Sequence, residues 1–385
     1  MPELKLAVID VKPGGAMESQ SGLANLRPRI YGAYMEPGVA KVAKGAKGAK
    51  GPRRVAAMVM HPTSNFMGHY LIAPLAARGL TCLGLNSRYP NNDSQLLMER
   101  VIQDMGAGVK FLRDRGYEKV VLIGNSGGAA ICAFYQAQAE KLTATHFPDG
   151  RPTQFVAADF SPVDGIALCG AHEGRSRLFL KWIDPSVTDE HDAFAADPQI
   201  DLYNPKNGPP FSAEFLRRFY AAQQARRDRI ENWVLARLKA LEADANGPQD
   251  QAFIIHRTHA EPRCLDLSLD ANARVAGSIW GDARAINYAA NAFGRYTSLR
   301  AFLSQWSSRS RADGPDNLAR TSVPVLLFTY TADASTFPST RDLWLTAAKG
   351  RVRNIDIKGG DHYLSGQAEL VAQVADELAA WAKKL

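Results

Sequence analysis

Residues 120–130 read Val120-Val121-Leu122-Ile123-Gly124-Asn125-Ser126-Gly127-Gly128-Ala129-Ala130, and this stretch decides the fold. Four apolar residues in a row, without polar alternation, are the pattern of a strand buried on both faces of a parallel sheet. The run enters Gly-x-Ser-x-Gly and then small residues that open a helix. Flanking glycines carry no Cβ, so backbone can pass closely around a strained turn that presents the Ser126 hydroxyl. Because that turn is also a helix start, backbone N–H groups and the positive end of the helix dipole lie beside it, where an oxyanion would develop.

The neighbouring chain supplies what such a strand needs. Strand patterns are expected at 4–11, 28–34, 54–60, 80–85, 119–123, 165–168, 323–329 and 352–357, the last five apolar at nearly every position. Helical patterns alternate with them at 95–113, 127–139 and 367–383. Strand and helix in alternation predict an α/β layered domain with right-handed crossovers. The alternation lapses between about 173 and 317, where a long charged helical pattern runs from Ser212 to about Ala243. The predicted organisation is a core at 1–174, an insertion at 175–317, and a second core portion at 318–385.

A serine hydroxyl needs a base to become a nucleophile. Of eight histidines, His362 in Gly359-Gly360-Asp361-His362-Tyr363 stands just after the last strand, on the strand-exit edge that also carries Ser126. The base in turn needs an acid to fix its tautomer. Asp333 follows the strand at 323–329 and is the first choice. Glu173, after the strand at 165–168, is the alternative. Asp361 adjoins the histidine, and neighbouring side chains diverge on extended backbone; Asp356 lies within a strand.

Ser126, Asp333 and His362, in that order after successive strands, resemble the α/β-hydrolase family, the likeness covering about 54–170 and 320–385. The resemblance implies an α/β-hydrolase fold with a mostly parallel central sheet and a mainly helical cap formed by the insertion. It also implies a serine hydrolase of small-molecule acyl substrates, carboxylic esters first. Amide, thioester, lactone or carbon–carbon bond cleavage would use the same residues, and a ligand-binding module on the same scaffold is the non-enzymatic alternative. In that family a loop after the strand ending near Met60 supplies an oxyanion amide. Here it begins His61-Pro62, where many members have His-Gly. Proline has no N–H, which points to Thr63 as the donor beside Gly127.

Charge excludes less than it suggests. Of the net +7, six positive charges (Lys41, Lys44, Lys47, Lys50, Arg53, Arg54) fall within a lysine- and glycine-rich segment, 41–54, read as a solvated loop rather than a nucleic-acid or membrane surface. No run of apolar residues is long enough to span a bilayer, and the first residues lack a secretory layout, so a cytoplasmic protein is expected. The four cysteines form no CxxC pair and read as reduced core thiols. His256 and His259 lack nearby carboxylate or cysteine partners. No metal or cofactor is expected, and homo-oligomer formation stays open.

Overall fold

The computed structural model describes residues 3–13, 28–38 and 55–385; the basic segment 41–54 therefore lies outside the described residues. Its strands are β1 (Leu4–Asp10), β2 (Arg29–Met35), β3 (Val55–His61), β4 (Thr81–Asn86), β5 (Lys119–Asn125), β6 (Gly165–Cys169), β7 (Ala252–Ile254), β8 (Tyr296–Ser298), β9 (Val325–Tyr330) and β10 (Val352–Ile357). The helices are α1 (Ile72–Ala77), α2 (Met98–Asp114), α3 (Gly128–Glu140), α4 (Arg175–Trp182), α5 (Ala213–Glu242), α6 (Ala283–Tyr288), α7 (Leu299–Gln305), α8 (Gly314–Leu318), α9 (Pro338–Ala347) and α10 (Ala368–Ala382).

Eight strands form one sheet in the order β1-β2-β4-β3-β5-β6-β9-β10. From β4 to β10 every neighbour is parallel, whereas β1 and β2 form an antiparallel hairpin added at one edge. Period-two alternation divides each inner strand between two cores. Ala56, Met58, Val120 and Leu122 face one side with Val101, Met105, Ile131 and Trp344 of α2, α3 and α9. Ala57, Val59, Val121 and Ile123 face the other with Ile72, Leu75, Val374 and Leu378 of α1 and α10. The sheet is thus covered on both faces, as a parallel sheet must be.

Two expectations change. The strand at 352–357 was expected to be buried on both faces; β10 is instead the sheet edge, with Arg353, Asn354 and Asp356 exposed. The helix expected from residue 95 starts at Met98, whose N–H donates to Ser304 Oγ of α7 (2.8 Å), a cap supplied from far along the chain that local sequence cannot show.

Between β6 and β9 lie α4–α8 and the two-stranded β7–β8 ribbon. Ser212 accepts from the Phe215 N–H and starts the 30-residue α5. This segment has hydrophobic clusters of its own. One joins Phe179, Ile230, Val234, Leu238, Phe302 and Trp306; another joins Leu202, Phe211, Phe215 and Phe219. Among the described residues, no helix is long and apolar enough to cross a membrane.

Candidate active site

β5 delivers Ser126 to the strand-exit edge with φ = 53°, the left-handed region that costs a β-carbon-bearing residue strain. Two backbone bonds hold the turn: Ser126 N–H donates to Cys169 O (3.0 Å) and Ala129 N–H to Ser126 O (3.1 Å). Glycine is required at Gly124, where a Cβ would lie 2.5 Å from Ala129 Cα as the new helix doubles back.

Asp333 and His362 arrive from the exits of β9 and β10. The His362 ring bridges the other two residues, with Nε2 3.0 Å from Ser126 Oγ and Nδ1 2.8 Å from Asp333 Oδ2. Asp333 is fully buried, which alone would raise its pKa. The His362 ring and the hydrogen bonds from Thr336 more than offset this, and the carboxyl is held below its ordinary value. Its Oδ1 accepts the N–H groups of Ser335 (2.7 Å) and Thr336 (3.0 Å), and Oδ2 also accepts from Thr336 Oγ1 (2.5 Å). These bonds fix the carboxylate before it meets the imidazole.

The alternative acid, Glu173, is occupied elsewhere. It is buried and paired with Lys181 of α4, which holds its carboxyl low despite burial. Asp361 accepts the amides of Tyr363 and Ser365 (3.0 and 3.1 Å) and so shapes the histidine loop. Asp356 accepts from Asn354 on the exposed face of β10.

The loop after β3 departs from expectation. The Thr63 amide, expected to face an oxyanion, donates instead to Nδ1 of His61 (3.2 Å), as does the Ser64 amide (2.9 Å). Thr63 Oγ1 accepts from Arg175 Nη2 (2.8 Å). The cause is the histidine's own ring, which folds back over the turn and captures both N–H groups following Pro62. The Gly127 amide, by contrast, enters no hydrogen bond among the described residues.

Three neighbours had no signal in the sequence beyond lying near strand exits. His172, buried after β6, places Nε2 3.0 Å from Ser335 Oγ, and its ring centre is 5.2 Å from that of His362. Burial, and then the His362 charge, push its pKa down to about 3. His69 is lowered to about 4 by burial and stacks on Tyr70. Arg175 lies against the rings of Phe293 and Trp306, and burial lowers its pKa to about 10.

Above Ser126 opens a cavity of about 640 Å³. Its floor is His61, Asn125, Ser126 and Gly127, and its walls include Tyr70, Trp182, Trp280, Ile286 and Phe293. Much of that wall comes from the segment between β6 and β9. Its size, and an aromatic and aliphatic wall facing polar groups gathered around Ser126 (His61, Asn125, His172, Arg175), suit a small-molecule site.

No protein-family model and no curated protein sequence matches this chain. Solved structures do. The structure of DcsB in complex with its substrate analogue is 12% identical over 99% of this chain and 99% of that one, with a TM-score of 0.52. The α/β hydrolase GrgF from Penicillium sp. sh18 is 10% identical over 99% of this chain and 100% of that one, with a TM-score of 0.50. At these identities the likeness concerns architecture. Taken with the strand order and the strand–turn–helix at Ser126, it shows that the chain has the α/β-hydrolase fold.

Proposed function

We propose that this protein is a serine hydrolase that cleaves carboxylic esters of small molecules through an acyl-enzyme on Ser126. The observation that carries the reading is the unbroken relay Asp333–His362–Ser126, with contacts of 2.8 and 3.0 Å. In this reading His362 Nε2 takes the Ser126 proton as Oγ attacks the acyl carbon. The Gly127 amide receives the carbonyl oxygen as it gains charge, and His362 then protonates the leaving alcohol. Water enters through the same histidine and releases the acid. Asp333 stays ionised throughout, holding the tautomer with the proton on Nδ1 and stabilising the imidazolium.

The segment 175–317 acts as a cap. It contributes Trp182, Trp280, Ile286 and Phe293 to the cavity wall, so it selects the acyl and alcohol groups that fit. Esters come first because an alkoxide oxygen is a better leaving group than an amide nitrogen, so the tetrahedral intermediate collapses with less help from the acid.

The test is reaction with a fluorophosphonate, location of the adduct by mass spectrometry, and turnover of p-nitrophenyl esters of graded chain length. The expected result is a single adduct at Ser126 and hydrolysis that Ser126→Ala abolishes. A folded protein without adduct or turnover would leave the ligand-binding reading in its place.

A further inference from the structure

Gly127 provides one free amide beside Ser126, yet stabilising a tetrahedral oxyanion takes at least two donors. In the loop after β3, residues 62–66, only the Asn65 amide is left without an acceptor among the described residues. Pro62 has no N–H, the Thr63 and Ser64 amides both point into His61 Nδ1, and the Phe66 amide donates to Asn86 Oδ1 (2.8 Å). What those same bonds do to His61 provides a donor of a different kind. A ring nitrogen that accepts two N–H groups carries no proton, so in the neutral ring the proton sits on Nε2. Nε2 has no hydrogen-bond partner among the described residues. It faces Gly127 so closely that a Cβ on that glycine would lie 2.8 Å from it, and His61 lines the cavity together with Ser126.

We propose that the side chain of His61 is the second oxyanion donor: its Nε2–H, with the Gly127 amide, receives the oxygen that becomes negative when Ser126 attacks. This rests on the serine-hydrolase reading above and adds to it a catalytic side chain where a loop amide was expected. As the Oγ–carbon bond forms, the carbonyl π pair moves onto oxygen and the serine proton moves to His362 Nε2. His61 only donates a hydrogen bond and transfers nothing. Its surroundings keep it in that form. It is buried, with the Arg175 cation nearby, and both hold its pKa well below the ordinary histidine range. Arg175 also ties down the loop through Thr63 Oγ1.

Two substitutions separate the donor from the scaffold. In His61→Asn the amide oxygen can take the place of Nδ1 and keep the Thr63 and Ser64 bonds, but nothing replaces Nε2–H. In His61→Gln the terminal NH2 approaches the place of Nε2 while the acceptor is displaced. Each variant is assayed for p-nitrophenyl ester turnover. Each is also assayed for inhibition by a trifluoromethyl ketone, which forms a Ser126 hemiketal bearing an oxyanion, and by the matching secondary alcohol, which forms none. H61N is expected to lower kcat by about 10²–10³, to weaken the ketone in step, and to leave alcohol binding within threefold. H61Q is expected to bind the ketone at least tenfold more tightly than H61N.

An H61N enzyme within threefold of wild type would overturn the proposal and pass the role to the Asn65 amide. H61Q no better than H61N, or equal losses for ketone and alcohol, would reduce His61 to a loop-positioning residue. If H61N fails to fold, wild-type protein with 15N-histidine decides: the His61 Nε2–H proton resonance should move downfield when the ketone adds, and an unmoved resonance overturns the idea. Absence of any fluorophosphonate adduct or turnover in wild type would remove the hydrolase reading itself. Normal wild-type activity with an indifferent H61N removes this inference alone.

Discussion

Acidification to pH 5 should cost this protein much of its stability, because four histidines are buried in the neutral form. His69 and His259 are lowered to about 4 and His172 to about 3, in each case chiefly by burial; His61 lies well below its ordinary 6.5. A group that binds its proton less readily when folded destabilises the native state as pH falls below the unfolded value. At pH 5 an unfolded-chain histidine is almost fully protonated, while His69, His172 and His259 are mostly not. Each of these three therefore costs ~2 kcal/mol relative to pH 7.5, from 1.36 kcal/mol per pH unit, and His61 acts in the same direction. One buried acid works in the opposite sense. Glu99 is raised by burial from 4.5 to about 7, so between those values the folded state holds a proton that the unfolded state releases. Its contribution returns roughly 2 kcal/mol on the same scale. The net expectation from these groups is a loss of about 4 kcal/mol between pH 7.5 and pH 5, with His61 adding to it in the same sense, which approaches the whole stability of many domains. Urea unfolding followed by tryptophan fluorescence at the two pH values measures it directly. His259→Phe should remove ~2 kcal/mol of the pH dependence. A stability that moves by less than about 1 kcal/mol would refute the assignment of these rings as neutral.

Other outcomes follow from single contacts. Asp333→Asn should lower kcat by about 10⁴ with little change in KM, by presenting the wrong tautomer to Ser126, whereas Glu173→Gln should stay within tenfold; the reverse ranking in ester kinetics would make Glu173 the acid. Lys181→Met should destabilise by about 3 kcal/mol at pH 8, since it strands the buried Glu173 carboxylate, and by less at pH 4, where that carboxyl can take a proton; equal denaturation midpoints would contradict the pairing. Gly127→Ala should depress turnover by at least tenfold with the fold retained, because the new methyl meets His61 Nε2, and unchanged kinetics would show that this close approach has no part in the reaction.

Much of this was legible before any coordinates. Val120–Ile123 had to be a central strand because no sheet edge tolerates that run, and the Ser126 turn follows from the glycines around it. Asp333 and His362 were readable because strand exits in a parallel sheet share one edge, so chain order alone places them together. Thr63 was misplaced for a physical reason. Pro62 could be struck out as a donor from its chemistry, but a side chain folding back to capture the next two amides is a tertiary rotamer choice that no spacing encodes. His172 and Arg175 were hidden for the same reason, since their roles come from burial against residues distant in sequence. β10 misled because Val352, Ile355 and Ile357 mimic an inner strand, while its neighbours Arg353, Asn354 and Asp356 carry the edge signal.

Ser126 and His362 stand 236 positions apart, and α10 comes after the histidine. A ribosome making this chain has released the serine turn, the whole intervening segment and Asp333 before the base emerges. α10, which packs Val374 and Leu378 against the sheet face beside α1, leaves later still. No nascent or truncated product ending before that point holds an assembled relay. The relay is therefore assembled late, when β10 and the loop after it join a sheet whose serine turn left the ribosome long before.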